Sequence, residues 1–124
     1  MSPLVFLHGF TGSPQTFDEV VAALPPARAV LRLTLAGHGD APFPESVSGF
    51  DDEVARLAGL IASWSTEPVH LVGYSLGARL SLALLLNGPD RVARLTAVGA
   101  HPGPGTAAAR AGRRARDAVW VRQL

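Results

Sequence analysis

The sequence has no cysteine and no lysine. Without cysteine the chain can form neither a disulfide bond nor a thiolate metal site, so redox chemistry does not indicate its compartment. The eleven basic residues are all arginine, and ten acidic residues nearly balance them, for a formal net charge of +1. This balance gives no overall reason to expect nucleic acid or an anionic membrane surface as a partner.

Long hydrophobic runs are also missing. No apolar stretch approaches the roughly 20 residues that a membrane-spanning helix needs. The apolar run at residues 4–7 begins within three residues of Met1, and it lacks the basic flank and the length of a secretory signal. We therefore expect a soluble, cytoplasmic protein with no membrane partner.

Short apolar runs alternate with amphipathic segments along the 124 residues, of which 48% are hydrophobic. The expected strands are apolar without alternation, as in strands covered on both faces, and lie at residues 4–7, 29–35, 69–72 and 95–98. The expected helices between them lie at residues 17–24, 54–64 and 76–86. This rhythm predicts an α/β fold with about four parallel strands flanked by helices.

The composition changes after Val98. Residues 99–105 are rich in glycine and proline, and an alanine- and arginine-rich helix candidate follows them. We expect the only boundary here, between a core at residues 1–100 and the start of a further region at residues 101–124.

The segment Gly73-Tyr74-Ser75-Leu76-Gly77 carries the clearest chemical signal. It lies directly between a predicted strand and a predicted helix, the setting in which a Gly-x-Ser-x-Gly turn exposes its serine as a nucleophile. The two glycines would let the helix approach the strand closely. We predict Ser75 as the catalytic residue. The alternative is an ordinary glycine-rich turn of the kind found in phosphate-binding sheets.

The loop after the first predicted strand, residues 8–12, reads His-Gly-Phe-Thr-Gly. Its position suits an oxyanion hole, in which one main-chain N–H follows the nucleophile and the other comes from this loop. We predict Leu76 and Phe10 as these two donors. His8 is expected to be a structural imidazole bonded to the loop backbone, with a direct catalytic role as the alternative.

A second histidine lies in the turn at residues 36–40, after the second predicted strand. Its glycines permit positive φ angles. His38 is expected to be mainly structural. The alternative is a contact with the substrate, because open α/β sheets bind their ligands at the carboxyl ends of the strands.

Together these segments resemble the α/β-hydrolase superfamily. The whole chain resembles the N-terminal half of one of its families, the SHCHC synthases (2-succinyl-6-hydroxy-2,4-cyclohexadiene-1-carboxylate synthases) of menaquinone biosynthesis. The finer resemblance rests on residues 4–10, 37–39, 50–52, 71–77 and 101–103, with Arg79, Arg113, Asp117 and Trp120.

The resemblance implies a serine-histidine pair that abstracts a proton and eliminates pyruvate from a polycarboxylate, with no metal and no organic cofactor. It implies that Arg79 and Arg113 bind substrate carboxylates, a task suited to the planar guanidinium group, and that Tyr74 lines the pocket. Solvated or ion-paired surface arginines are the alternative. Residues 101–124 would begin the cap. No aromatic residues interleave with the arginines around Arg113 in a nucleic-acid motif, so nucleic acid is not expected.

The resemblance also marks a difference from the family. The predicted strands correspond to the third to sixth of the family's eight, whereas its catalytic acid and histidine follow the seventh and eighth. After Ser75 the sequence offers Asp90, Asp117 and His101, of which His101 is the candidate substitute base. We therefore expect a truncated enzyme of this family. The alternatives are a carboxylesterase of small esters and a non-catalytic fragment or assembly module.

The family's strand order predicts the second strand at one edge, followed by the first, the third and the fourth. Both edges would then be unpaired, and exposed edges associate. We expect a homo-oligomer that forms through these edges and takes a small-molecule substrate.

Overall fold

The computed structural model describes residues 1–101, 103 and 105–123. Its strands are β1 (Leu4–Leu7), β2 (Val30–Leu33), β3 (Val69–Tyr74) and β4 (Val92–Val98). Its α-helices are α1 (Asp18–Ala22), α2 (Phe50–Trp64), α3 (Leu76–Asn87) and α4 (Ala107–Gln123). Short 3-10 helices precede α1 and β4, at Pro14–Phe17 and Pro89–Arg91.

All four strands are parallel and lie in one sheet in the order β2-β1-β3-β4. Leu4 lies opposite Val30 of β2 on one side and opposite His70 of β3 on the other. The predicted α/β class and the predicted strand order are both confirmed. Because the strands are parallel, their carboxyl ends share one edge of the sheet, and the loops after β1, β2, β3 and β4 meet there.

Helices cover the central strands on both faces. Val5 and Leu7 of β1 join the core formed with α2 and α3, whereas Leu4 and Phe6 pack with Phe17, just before α1. Alternate residues of a strand point to opposite faces, so α1 lies on the face opposite α2 and α3. All four residues of β1 are buried, as expected for a strand covered on both sides.

The fourth strand departs from this expectation. Val92 and Leu95 are half-buried against the core on the α3 side, while the other residues of β4 are exposed. Among the described strands β4 is the last in the sheet order, and α3 covers one of its faces. The predicted full coverage of the strands is therefore wrong for β4.

The last helix lies apart from the core. None of the residues of α4 is buried. Its Trp120 ring reaches the loop after β1, with a centroid 6.4 Å from that of Phe10. Among the described helices, none has both the length and the apolar character that a bilayer crossing requires.

Candidate active site

Ser75 occupies a strained turn between β3 and α3. Its φ of 53° and ψ of −111° lie in a region that residues other than glycine rarely adopt. Its amide nitrogen donates to the carbonyl oxygen of Val98 at 2.9 Å, and its carbonyl oxygen accepts from the Arg79 nitrogen at 3.1 Å. These bonds hold an exposed serine in the conformation expected of a nucleophile elbow.

Two glycines allow this turn to close. A Cβ atom on Gly77 would lie 2.0 Å from the carbonyl oxygen of Leu7, and one on Gly73 would lie 2.5 Å from the carbonyl oxygen of Gly77. Neither distance leaves room for a side chain unless the backbone moves. The prediction that these glycines let α3 approach the sheet closely is confirmed.

The loop after β1 presents a fixed peptide to the site. The Gly9 carbonyl oxygen accepts from the Gly12 nitrogen at 3.0 Å and lies 2.9 Å from His8 Nδ1. This carbonyl and the Phe10 N–H belong to the same peptide unit, so the two bonds also set the direction of that N–H. Leu76 is the first residue of α3, where N–H groups have no partner within the helix.

His8 is fully buried, and both of its ring nitrogens are occupied. Nε2 accepts from the Leu35 nitrogen at 3.1 Å, so in the neutral ring Nδ1 carries the proton and donates to Gly9. Burial lowers the pKa of His8, the hydrogen bond to Gly9 acts against this, and His38 lowers it further. A neutral ring held in this way is a structural element of the loop and has no nitrogen available as a base.

His38 lies next to this arrangement. Its ring centroid is 5.3 Å from that of His8 and 5.8 Å from that of Phe10. Its Nδ1 is 3.0 Å from the carbonyl oxygen of Ala36. The ring borders a mainly apolar cavity of about 280 Å³ that also touches Phe10. A contact between His38 and the substrate stays a prediction.

Tyr74 is 48% exposed, with its ring against the loop after β1. A Cβ atom on Gly9 would lie 3.0 Å from Tyr74 Cδ1, so glycine makes room for this ring. Tyr74 does not border the cleft around Ser75, and its predicted place in the pocket stays untested.

An open cleft of about 490 Å³ brings most of the predicted site residues together. The core contributes Phe10, Ser75, Leu76 and Arg79, and the segment after β4 contributes Gly99, His101, Arg113, Asp117, Trp120 and Val121. Two guanidinium groups face one carboxylate in this lining. The excess of positive charge suits an anionic ligand.

The two arginines differ in their surroundings. Arg79 lies one turn into α3, and its guanidinium carbon is 6.0 Å from the centroid of the Phe50 ring, at the limit of a cation–π contact. Arg113 Nε lies 3.3 Å from Asp117 Oδ1, and both side chains are at least half exposed. A ligand carboxylate would therefore compete with Asp117 for Arg113.

Of the three acid and base candidates after Ser75, His101 and Asp117 border the cleft, where Asp117 pairs with Arg113, and Asp90 does not. Asp90 precedes β4, so it lies at the amino ends of the parallel strands, whereas Ser75 lies at their carboxyl ends. His101 borders the cleft, but its Nδ1 accepts from the Gly103 nitrogen at 3.1 Å, so in the neutral ring Nε2 carries the proton. The histidine is thus arranged to donate. Pro102 of the predicted His-Pro-Gly segment lies outside the described residues.

Residues 2–123 match the family described as alpha/beta hydrolase fold. The chain belongs to the α/β-hydrolase family. Over 121 residues it is 38% identical to the 2-succinyl-6-hydroxy-2,4-cyclohexadiene-1-carboxylate synthase of Enterobacter sp. (strain 638), covering 98% of this chain and 46% of that protein. The corresponding synthase of Escherichia coli (strain K12 / DH10B) is 37% identical over 121 residues, covering 98% of this chain and 47% of that protein.

Solved structures agree with this assignment. This α/β-hydrolase chain superposes on MenH from S. aureus with a TM-score of 0.85 and 27% identity, over 94% of this chain and 44% of that one. The thioesterase domain from the curacin biosynthetic pathway gives a TM-score of 0.76 and 25% identity, over 94% and 44%. The resemblance predicted from the motifs is confirmed, and the chain spans about half the length of the curated relatives it matches.

A place in the lining of this α/β-hydrolase site was not predicted for three residues, although Asp117 and Trp120 carry part of the family resemblance. Asp117, Trp120 and Val121 follow Arg113 at spacings of four, seven and eight, which place them on one face of α4. That periodicity was the available signal. In the part of the chain that the structure describes, no three histidine, aspartate or glutamate side chains lie close enough together to hold a metal ion.

Proposed function

We propose that this chain carries the nucleophile, the oxyanion donors and the carboxylate-binding arginines of an enzyme similar to SHCHC synthase. In the proposed reaction a proton is abstracted from a polycarboxylate and pyruvate is eliminated, with no metal or organic cofactor. The supporting observation is that one cleft holds the strained Ser75 together with Arg79 and Arg113. The names of the relatives support the same reaction class.

Each group has a specific task in this proposal. The Ser75 oxygen, activated by a base, takes the proton from the reacting carbon, and the bond to the departing pyruvate group then breaks. The N–H groups of Phe10 and Leu76 stabilise the negative charge that develops on oxygen. Arg79 and Arg113 bind carboxylates through charged hydrogen bonds. Residues 1–100 form the catalytic core, and residues 101–124 begin a cap whose helix α4 borders the cleft.

A serine hydroxyl needs a base to become reactive. Among the described residues that border the cleft, the candidate is His101, which would first have to release the Gly103 N–H from Nδ1. Without a base, substrate binding and oxyanion stabilisation remain, and these alone give a much smaller acceleration.

The test is pyruvate release from the polycarboxylate substrate by purified residues 1–124. Ser75→Ala should lower the rate at least about 100-fold, as expected for loss of a catalytic residue. Ser63→Ala is the matched control, because this exposed serine on α2 donates to the Gly59 carbonyl of its own helix and does not border the cleft. No activity in either protein would show that this chain does not catalyse the reaction, and equal measurable rates would show that Ser75 is not its catalytic residue.

A carboxylesterase of small esters is the second candidate. The apolar wall formed by Phe10, Trp120 and Val121 would suit a neutral acyl group, and the thioesterase domain noted above shares the fold. Hydrolysis of a neutral ester without pyruvate release would favour this function.

A non-catalytic module is the third candidate, and absence of Ser75 labelling by an active-site phosphonate would support it.

We also propose that the chain functions in the cytoplasm and self-associates through its sheet edges. Within the described residues, β2 and β4 each have one strand neighbour. Unpaired edges present N–H and C=O groups to other chains.

A further inference from the structure

Glu53 and Arg56, in the first two turns of α2, form an ion pair that is largely withdrawn from solvent. Glu53 is 8% exposed, and its carboxylate accepts two bonds from Arg56, at 2.8 and 2.7 Å. Both side chains also reach the backbone just after β2. The Ala36 nitrogen donates to Glu53 Oε1 at 3.1 Å, and Arg56 Nη2 donates to the Thr34 carbonyl oxygen at 2.9 Å.

Apolar side chains also pack α2 against the sheet. The helix already buries Val54, Leu57 and Ile61 against the sheet. Ion pairs withdrawn from water are weak contributors to stability, because desolvation offsets much of their attraction. Burial acts to raise the pKa of Glu53, but the bonds from Arg56 and Ala36 outweigh it and hold the pKa below its usual range. The carboxylate therefore stays ionised at neutral pH and keeps Arg56 oriented.

The Thr34 carbonyl that accepts from Arg56 belongs to the same peptide unit as the Leu35 N–H. That N–H donates to His8 Nε2 at 3.1 Å, and His8 Nδ1 in turn donates to the Gly9 carbonyl at 2.9 Å. The Gly9 carbonyl belongs to the peptide unit that carries the Phe10 N–H. Four donors therefore follow one another in a single direction, from the Arg56 guanidinium to the N–H at the cleft.

Such a chain does more than hold its members in place. A peptide that accepts a hydrogen bond on its carbonyl becomes a stronger donor through its N–H, so successive bonds reinforce one another. The Arg56 N–H that begins the chain belongs to a charged donor, whose charge Glu53 balances. The same backbone segment also carries His38, whose ring lies edge-on to Phe10 at 5.8 Å.

We propose that Arg56 is a positioning residue for the oxyanion hole, at the head of a hydrogen-bond chain that runs through the Thr34–Leu35 peptide and His8 to the Phe10 N–H. Glu53 orients Arg56 and fixes Ala36. The inference rests on the proposed function in taking the Phe10 N–H as an oxyanion donor. The hydrogen-bond chain itself can be tested without any enzymatic activity.

The variants separate this role from simple anchoring of α2. In the double variant Arg56→Gln with Glu53→Gln, the pair becomes neutral and no unpaired charge is buried. Arg56→Lys keeps the cation but loses the planar fork, and it serves as the conservative rescue. Asp52→Asn is the matched control, because this neighbouring carboxylate accepts from Ser48 at 2.9 and 2.6 Å, away from the chain.

The readout is NMR of the labelled residues 1–124. In the double variant we expect the Leu35 and Phe10 amide resonances to shift, the His8 ring to lose its single tautomer, and exchange of the Leu35 amide proton to accelerate at least about 10-fold. Arg56→Lys should give smaller changes of the same kind. Asp52→Asn should change only resonances near Ser48.

Two results would overturn the proposal. One is that the double variant folds and its Leu35, His8 and Phe10 resonances match those of Asp52→Asn. The other is that both Arg56 variants unfold while Asp52→Asn folds, since the pair would then only anchor α2.

If the chain is active, the double variant should lower kcat about 10-fold with KM within about 2-fold, the pattern for an interaction made in the transition state. If the wild-type chain proves inactive, the proposed function fails, but the NMR test of the hydrogen-bond chain still stands.

Discussion

A Cβ atom on Gly77 would lie 2.0 Å from the carbonyl oxygen of Leu7. The short distance shows that the first turn of α3 packs directly against the last residue of β1. The loop with Phe10 begins directly after Leu7, and the Leu76 N–H directly precedes Gly77. The missing side chain therefore allows the two predicted oxyanion donors to border one cleft.

Gly77→Ala should destabilise the fold by about 3 kcal/mol, at the upper end of overpacking effects, because the new methyl group meets backbone atoms that cannot rotate away. Gly59→Ala is the control, since the residue is within α2 and no atom beyond its neighbours and the nearby backbone of that helix lies within 4 Å of an added Cβ. That change should stabilise by about 0.5–1 kcal/mol. Urea unfolding measures both. Equal stability of the two variants would refute the close approach.

Stability should fall as the pH drops from about 7.5 to 5.5. The pKa of His8 is lowered by its burial, so below the ordinary value of about 6.5 the unfolded chain binds a proton that the folded chain does not. The contribution is fully present above that value and is lost on acidification. The pKa of His70 is also lowered, by burial and by Arg28 and Arg94, so His70→Gln isolates the effect of His8.

Urea unfolding of His70→Gln across this range tests the prediction. Model carboxyl groups titrate at about pH 4, below this range, so the change is assigned to histidine protonation. In the folded chain the His8 ring resonances should titrate below the ordinary value of about 6.5. A stability that does not change with pH, or a His8 ring that titrates near its ordinary value in the folded chain, would contradict the buried neutral imidazole.

Arg79→Ala and Arg113→Ala should each lower kcat/KM for a polycarboxylate by about 10- to 100-fold, because a hydrogen bond to a charged group is worth about 1.5–3 kcal/mol. Hydrolysis of a neutral ester should change by less than about 2-fold. Arg114→Ala removes the same charge from α4 and should affect neither substrate. Equal losses for all three variants on both substrates would exclude a specific carboxylate site.

Asp117→Asn should strengthen dicarboxylate binding by about 2-fold. Asp117 lies 3.3 Å from Arg113 and competes with the ligand, but pairs between exposed residues four apart on a helix are weak. Calorimetric titration with succinate measures the change. The gain should disappear when Arg113→Ala is added, and a gain that persists in the double variant would mean that Asp117 acts on another group.

Sedimentation of residues 1–124 should show a dimer or a larger species at micromolar concentration, with dissociation on dilution. Within the described residues, β2 and β4 are the sheet edges, and most of β4 is exposed. Main-chain groups at such edges pair readily with another chain. A single monomeric species at these concentrations would rule out edge-mediated association.

Much of the fold and the centre of the site could be predicted from local patterns. The strand-turn-helix order around Ser75 and the two flanking glycines depend on neighbouring residues, so the sequence alone indicates the elbow. The short apolar runs predict the parallel strands in the same way, because burial on both faces requires apolar side chains at successive positions.

The rest depends on segments that are distant in the chain. The sequence does not show that Arg56 reaches Thr34, or that both His8 nitrogens are occupied. These contacts arise only when α2 and the loops after β1 and β2 converge at one edge of the sheet. Exposure of β4 likewise follows from its place at the edge and not from its composition.

The sequence by itself determined the α/β class, the elbow around Ser75 and the family, because periodicity, glycine spacing and motif order are local properties. Tertiary structure decided which polar atoms are already occupied. Both nitrogens of His8 form hydrogen bonds, Arg113 pairs with Asp117, and His101 accepts at Nδ1, which leaves the proton on Nε2. Hydrogen-bond donors and acceptors are assigned only when distant backbone segments meet, and that assignment decides which candidate groups remain available for chemistry.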